Sequence, residues 1–263
     1  MSARAFRLAL FALVPALSAC PKGGDAAGDR VKVEEVQSVL VERERKVHSY
    51  RIEGTVSEAG QTAAFRFAHR APNRMLAELK GETPRTFAFD GERLMELSPK
   101  ESRVQIFDLG GKPEEVAVQL HQIFQSFVPD GFRTPVIDWS KASARKVSHP
   151  LAPQALELSS EVQDPSGLVR AEYVLRWPSG DLVERRLVYG EQKMVMKIAR
   201  EHCDDRLKLC VPSRLEQTVN GTPGAIVDLT SVELNATLPK DAFTPAVPEG
   251  WSVDRKPLLP QEG

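Results

Sequence analysis

LVRAEYVLRW, Leu168 to Trp177, is the stretch on which the fold turns. Val169, Ala171, Tyr173, Leu175 and Trp177 alternate with Arg170, Glu172 and Arg176. Side chains on a strand point to opposite faces in turn, so a period of two gives one apolar face and one charged face. A strand with that many apolar residues on one side needs a covered sheet to lie in.

The same rhythm runs outward in both directions. APQALELSSEV (152–162) comes before it, across the turn DPSG (164–167). After it come the turn PSGD (178–181), DLVERRLVYG, MVMKIARE (194–201), VPSRLEQTV (211–219), an Asn220-Gly221 turn and GAIVDLTSVELNA (224–236). Nearer the start, SYRIEGTV (49–56), TAAFRFAH (62–69), RMLAELK (74–80), RTFAFDG (85–91) and ERLMELSPKESRVQIFDL (92–109) alternate too. TAAFRFAH sets Phe65 and Phe67 on one face, and RTFAFDG pairs Phe87 with Phe89 before an Asp-Gly turn. Short strands at regular spacing with polar turns mean an antiparallel sheet.

Two stretches break the period. Val33 to Ser49 places Val33, Val36, Leu40 and Val47 near one helical face. KPEEVAVQLHQIFQSF (112–127) opens with Pro113 and two glutamates and sets Val116, Leu120, Ile123, Phe124 and Phe127 on one side, the pattern of a helix. Residues 133–150 read as loop and short helix, and LPKDAFTPAVPEGWSVDR (238–255) as irregular chain. A sheet of about 11 strands must curl. The expected architecture is mainly β with α (α+β): a half-open, curled antiparallel β-barrel with helices covering the concave face.

The chain has 263 residues, 41% of them apolar, which suits one large domain. Lys plus Arg is 35 and Asp plus Glu is 36, a balance that excludes the basic excess of a nucleic-acid binder. Met1 to Arg7 carries two arginines and no acid, and Leu8 to Leu17 is apolar. A run of about ten is too short to cross a bilayer, where roughly 20 are needed, and reads as a secretory signal. It ends on Leu17-Ser18-Ala19-Cys20, which resembles the bacterial lipobox. That resemblance implies cleavage before Cys20 and acylation of its thiol, so that the lipid holds the protein to a membrane. Residues 20–32 then form a flexible tether, of which the ten residues 21–30 span roughly 17 Å, and 33–263 the domain.

Two further cysteines, Cys203 and Cys210, flank CDDRLKLC between two strands. An exported chain meets an oxidising compartment, so a disulfide across a hairpin is the expectation, worth on the order of 2.5 kcal/mol for about eight residues closed. The rival reading makes His202, Cys203 and Cys210 metal ligands, but a structural zinc site needs a fourth. Glu201, Asp204 and Asp205 form an acidic cluster that reads as a solvated loop or a calcium site. Asn220-Gly-Thr and Asn235-Ala-Thr match glycosylation acceptors that carry no weight in a bacterial lipoprotein.

No Gly-x-Ser-x-Gly, no His-Glu-x-x-His and no phosphate-cradling Gly-rich loop occurs, and the five histidines are scattered, with only His69 and His121 placed to meet near the lid. The reading is therefore not an enzyme, with no cofactor and no metal. What remains is apolar: Phe65, Phe67, Phe87 and Phe89 on neighbouring strands, Tyr173 and Trp177 on a later one, and Ile123, Phe124 and Phe127 on the covering helix. Ligand sites are concave and mostly apolar, so these residues are the expected lining of a cavity.

Three stretches carry a family resemblance. FAFDGERLMELSPKESRVQIFD (87–108) is similar to an Asp-Gly, short strand, Pro-containing turn, short strand unit. WPSGDLVERRLVYG (177–190) resembles a strand pair around a Gly turn, and VELNATLPKDAFTPAVPEGW (232–251) has a Leu-Pro-x-x-x-Phe-x-x-x-x-Pro-x-Gly ending. Together they resemble the LolA/LolB-like periplasmic lipoprotein carriers and outer-membrane lipoprotein receptors. The resemblance implies an incomplete antiparallel barrel with helices as a lid and an acyl-chain ligand. The soluble carrier lacks a lipobox, so this chain resembles the receptor-like or general lipid-binding branch, at the periplasmic face of the outer membrane. The Cys203–Cys210 hairpin has no counterpart in that pattern. The receptor's exposed apolar loop residue finds candidates in Leu207 and Leu209. Two functions follow: a lipid-binding envelope lipoprotein, or a structural or sensory lipoprotein that docks an envelope protein through the disulfide hairpin.

Overall fold

A computed structural model describes residues 30–108 and 131–257 apart from 136, 165 and 166. The elements begin with β1 (Arg30–Val31), α1 (Val33–Arg45), β2 (Ser49–Glu58), β3 (Gln61–Arg70) and β4 (Arg74–Lys80). Then come β5 (Arg85–Phe89), β6 (Arg93–Ser98), β7 (Arg103–Asp108), β8 (Ser143–His149), β9 (Ala152–Asp164), β10 (Gly167–Arg176) and β11 (Asp181–Tyr189). The last are β12 (Gln192–Asp204), β13 (Leu209–Val219), β14 (Thr222–Leu234) and β15 (Ser252–Pro257).

All fifteen strands among the described residues join one curled, open sheet in the order β1-β8-β9-β10-β11-β12-β13-β14-β2-β3-β4-β5-β6-β7-β15. Neighbours are antiparallel hairpins except at three places: β1 pairs antiparallel with the distant β8, β14 returns antiparallel to β2 and stitches the two halves of the chain together, and β15 runs parallel to β7. The expected count of about 11 is corrected to fifteen. β8 lies in the stretch read as loop and short helix, β15 in the tail read as irregular, and β1 in the expected tether. These three are pairing-driven: SARKVSH and SVDRKP show no apolar alternation, and β15 is exposed along its length. The helix expected over 112–127 lies outside the described residues, as do residues 1–29.

LVRAEYVLRW forms most of β10. Val169, Ala171, Tyr173 and Leu175 are buried on the inner face and Trp177 is half-buried. Arg170 and Glu172 face outward and pair at 3.0 Å. α1 lies across this half of the sheet. Its first turn carries Glu34 and Glu35 and its last Arg43 and Arg45, the charge order that suits a helix dipole. Val36 and Leu40 pack on Leu156, Leu158, Ala171, Tyr173, Leu175 and Leu182.

The other half has its own inner cluster: Tyr50, Ile52, Phe67, Met75, Phe89 and Leu94, joined by Phe132 and by Leu209 and Val211 from β13. Six strand spacings of about 4.8 Å would hold β13 and β6 about 29 Å apart in a flat sheet. Curling brings them around one cluster. Two bulges in β12, around Arg200, let the end of the β12–β13 hairpin bend inward. On the outer face, Leu238 and Phe243 of the chain end lie on Ala68, Leu76 and Ala88. The alanines leave room for these two side chains, and Arg70 stacks over the Phe243 ring at 5.4 Å. The Leu-Pro-x-x-x-Phe pattern is thus a clasp on the back of β3–β5.

Candidate functional site

Three rungs cross the inner face of β3, β4 and β5. Phe65 stands opposite Leu79, Phe67 opposite Ala77 and then Phe87, and His69 opposite Met75 and then Phe89. β2 extends the second rung with Ile52 and the third with Tyr50. β6 and β7 extend the third with Leu94 and Phe107. Cross-strand alignment follows from strict alternation in each strand, since a slip of one residue would turn every side chain outward.

Burial falls along this face. Tyr50, His69, Met75, Phe89 and Leu94 are buried, as are Ile52, Phe67 and Ala77. Phe87 and Phe107 are half-buried, as are Phe65 and Leu79 on the first rung. Beyond Leu79 and Phe87 the face turns polar: Arg85 pairs with Glu96 at 3.2 Å and with Glu101 at 2.9 Å. An apolar channel floor therefore grades into a charged rim.

The opposite end is closed by Phe132 and the disulfide hairpin. Cys203 and Cys210 are bonded. Glu201 lies beside both sulfurs, but the sulfurs are spent on each other and its carboxylate pairs with Arg176 at 3.0 Å, which leaves no thiolate set for a metal. Asp204 accepts from the Leu207 N–H at 2.9 Å and closes the hairpin turn. Leu209 is buried and Leu207 half-buried against the inner cluster, so neither is the exposed apolar loop residue expected from the sequence. The correction has a physical reason: the hairpin bends over the face, and its apolar tip finds cover there.

Arg43 of α1 locks this end. It is buried, ion-pairs with Asp181 at 3.4 Å, and donates to the Gly131 carbonyl at 2.8 Å and to the Cys210 carbonyl. Asp181 also accepts from the Cys210 N–H at 3.0 Å and from the Ser179 hydroxyl at 2.6 Å. Burial pushes the guanidinium below its ordinary value and Asp181 works against that push. Gly131 has φ +89°, and a Cβ there would meet Pro212 at 2.8 Å, so only glycine allows this approach to β13.

On the third rung, nearest the lock, sit Tyr50 and His69, a direct cross-strand pair with ring centroids 4.9 Å apart. Phe132 tilts over Tyr50 at 5.3 Å. The phenol oxygen and both imidazole nitrogens are buried without a hydrogen-bond partner among the described residues. Burial holds the phenol well above its ordinary value and drives His69 down to about 3, with Arg133 adding to the His69 shift and Glu44 opposing it. Arg133 and Glu44 pair at 3.3 Å, and Thr134 donates its N–H to Glu44 at 3.0 Å.

The sequence-predicted lining divides. Phe65, Phe67, Phe87 and Phe89 meet in the inner cluster of β2–β7. Tyr173 and Trp177 belong to the separate cluster beneath α1. Ile123, Phe124 and Phe127 lie outside the described residues, as do His121 and Cys20. Tyr50 was not read as a site residue, although Tyr50 shares the alternation of SYRIEGTV, and His69 stands in phase with Phe65 and Phe67. Asn220 and Asn235 are turn residues at φ 50° and 56°, and their side chains receive the Lys193 and His48 N–H groups.

Comparison with solved structures matches the sheet as a whole. An outer membrane lipoprotein-sorting protein domain from Vibrio parahaemolyticus superposes with a TM-score of 0.54 at 8% identity, over 81% of this chain and 97% of that one. A DUF1329 family protein from Desulfovibrio piger gives 0.51 at 12% identity, over 80% and 96%. The fold is LolA/LolB-like. A LolA superfamily protein from Nitrosomonas europaea is also similar, with a TM-score of 0.48 at 10% identity over 80% of this chain and 97% of that one. No family model and no curated protein matches the sequence. Within this LolA/LolB-like sheet, no described helix is long and apolar enough to cross a membrane.

Proposed function

We propose that this protein is a non-enzymatic lipoprotein of the bacterial cell envelope that holds acyl chains on the inner face of its curled sheet. Lipid on Cys20 tethers it to the periplasmic face of the outer membrane. One observation carries the reading: Phe65, Leu79, Phe87 and Phe107 stay half-buried on an apolar inner face that grades into a charged rim. An acyl chain laid along the rungs would gain about 25 cal/mol per Å² of apolar surface taken from water, or about 0.8 kcal/mol per methylene. The hairpin-docking alternative would rest on the exposed polar residues of the 203–210 loop, because Leu207 and Leu209 turn into the cluster.

Native mass spectrometry of protein purified from the envelope tests the reading, with Phe87→Glu as the control. Phe87 is half-buried, so a hydrated carboxylate there leaves the fold intact and puts a charge on the acyl path. Wild type carrying a mass of several hundred daltons that organic solvent removes, and Phe87→Glu lacking it, is the expected result. Wild type that arrives empty and refuses a fluorescent fatty acid would sink the proposal.

A further inference from the structure

We infer that Tyr50 and His69 are a neutral hydrogen-bonding anchor for the carbonyl of an ester- or amide-linked acyl chain; the inference rests on the acyl-binding reading above. Tyr50 is 1% exposed and His69 4%, and neither the phenol oxygen nor either ring nitrogen has a hydrogen-bond partner among the described residues. The Pro72 carbonyl exerts only the weakest of the pulls on the His69 proton, and no hydrogen bond of ordinary geometry forms. Buried polar groups in folded proteins are almost always paired, and each one left unpaired is costly. Three together on one cross-strand pair mark a place where something from outside completes the set.

The chemistry of the ligand follows from what surrounds the pair. One ring nitrogen of neutral His69 donates and the other accepts, whichever tautomer is present, and the Tyr50 hydroxyl donates or accepts. Two donors, Tyr50 O–H and His69 N–H, on rings stacked at 4.9 Å can converge on one carbonyl oxygen. An ionised carboxylate or phosphate would need a cation. The cation that acts on this ring, Arg133, is already held by Glu44 at 3.3 Å. An uncharged ester or amide carbonyl fits without adding a buried charge.

The position fits an acyl group as well. From the His69 rung to the Phe65 rung is four residues of strand, about 14 Å, and on β3 and β4 the inner face between them carries Phe65, Phe67, Met75, Ala77 and Leu79. Phe132, tilted over Tyr50, is the side chain that an incoming ester displaces. The alcohol or amine portion of the ligand would then lie outward, towards the half-exposed Glu44–Arg133 pair.

The test uses the full chain in cholate micelles, which contain no acyl chain, and three pyrene-labelled probes of equal length: an alkane, a fatty-acid methyl ester and a free fatty acid. Wild type should bind the ester about tenfold more tightly than the alkane, the gain expected of one good hydrogen bond. Tyr50→Phe removes one atom and keeps the ring. It should lower the ester-to-alkane ratio several-fold, with His69 N–H still donating, leave alkane binding unchanged and raise the melting temperature of the empty protein. An ester-to-alkane ratio equal to wild type in Tyr50→Phe overturns the anchor and leaves the acyl-binding reading standing; the orphan atoms then hold only buried water. Tightest binding of the free acid at pH 8 overturns the choice of a neutral carbonyl. Failure of wild type to bind any probe removes the acyl-binding reading itself, and the anchor with it.

Discussion

His69 ties the stability of this protein to pH in a way that can be worked out in advance. The ring is 4% exposed, its nitrogens have no partner among the described residues, and burial drives its pKa from 6.5 to about 3. Above pH 6.5 the ring is neutral in both the folded and unfolded chain, and no stability is at stake. Between pH 6.5 and about 3 the unfolded chain holds a proton that the folded chain does not, so stability falls as the pH falls. At pH 5 the deficit is about 2 kcal/mol, from about 1.4 kcal/mol for each pH unit below 6.5. At that pH the deficit is set by the unfolded chain alone, because the folded ring stays neutral. The assay is urea denaturation of wild type and His69→Leu at pH 7.5 and pH 5.0. Carboxylates and the other histidines titrate in both proteins and cancel in the difference. Wild type should lose about 2 kcal/mol more than the variant over this interval, and at pH 7.5 the variant should be no less stable, since it loses two orphan nitrogens. Equal losses in the two proteins would refute the assignment of a buried, neutral, unpartnered imidazole.

Other consequences follow from the lock, the hairpin and the clasp. Arg43→Met removes the buried one of Asp181's two charge partners, the other being Arg176 at 3.4 Å, and should destabilise the protein by about 3–5 kcal/mol in urea titration; a change below about 1 kcal/mol would show that Arg176 and the Cys210 N–H suffice for Asp181. Replacing Cys203 and Cys210 together by alanine should cost about 2.5 kcal/mol by loop closure, and reductant should then have no further effect on the variant's unfolding midpoint. Phe243→Ala empties a fully buried site on the back of β3–β5 and should cost about 3–5 kcal/mol. The same variant should leave acyl-probe affinity unchanged, because Phe243 lies on the face opposite the rungs.

Much of the fold can be read locally. Alternation placed β2 to β7 and β9 to β14, because a strand with one wet and one dry face must write that period into its own sequence. LVRAEYVLRW is the clearest case: the four residues from Val169 to Leu175 that it assigned inward are buried. Val36 and Leu40 announced α1 for the same reason at a different period. Cys203 and Cys210 were legible as a bridge because an even pair across a hairpin, in a chain whose first residues read as a secretory signal, has few other uses.

β8 and β15 were not legible. Edge strands are held by backbone hydrogen bonds to a neighbour, and SARKVSH and SVDRKP contain no pattern that names the neighbour. The inward turn of Leu207 and Leu209 depends on two bulges in β12, and a bulge is a feature of pairing between strands. The split of the lining, with the phenylalanines in one cluster and Tyr173 and Trp177 in another, depends on where β14 returns to β2. Sequence by itself determined which residues face inward, since alternation is a local consequence of strand geometry. Tertiary structure alone decided which inward residues meet, and so left the polar atoms of Tyr50 and His69 without a hydrogen-bond partner among the described residues, beneath Phe132. The joins of β14 to β2, β1 to β8 and β15 to β7 pair residues more than a hundred positions apart, and no short stretch of chain records them.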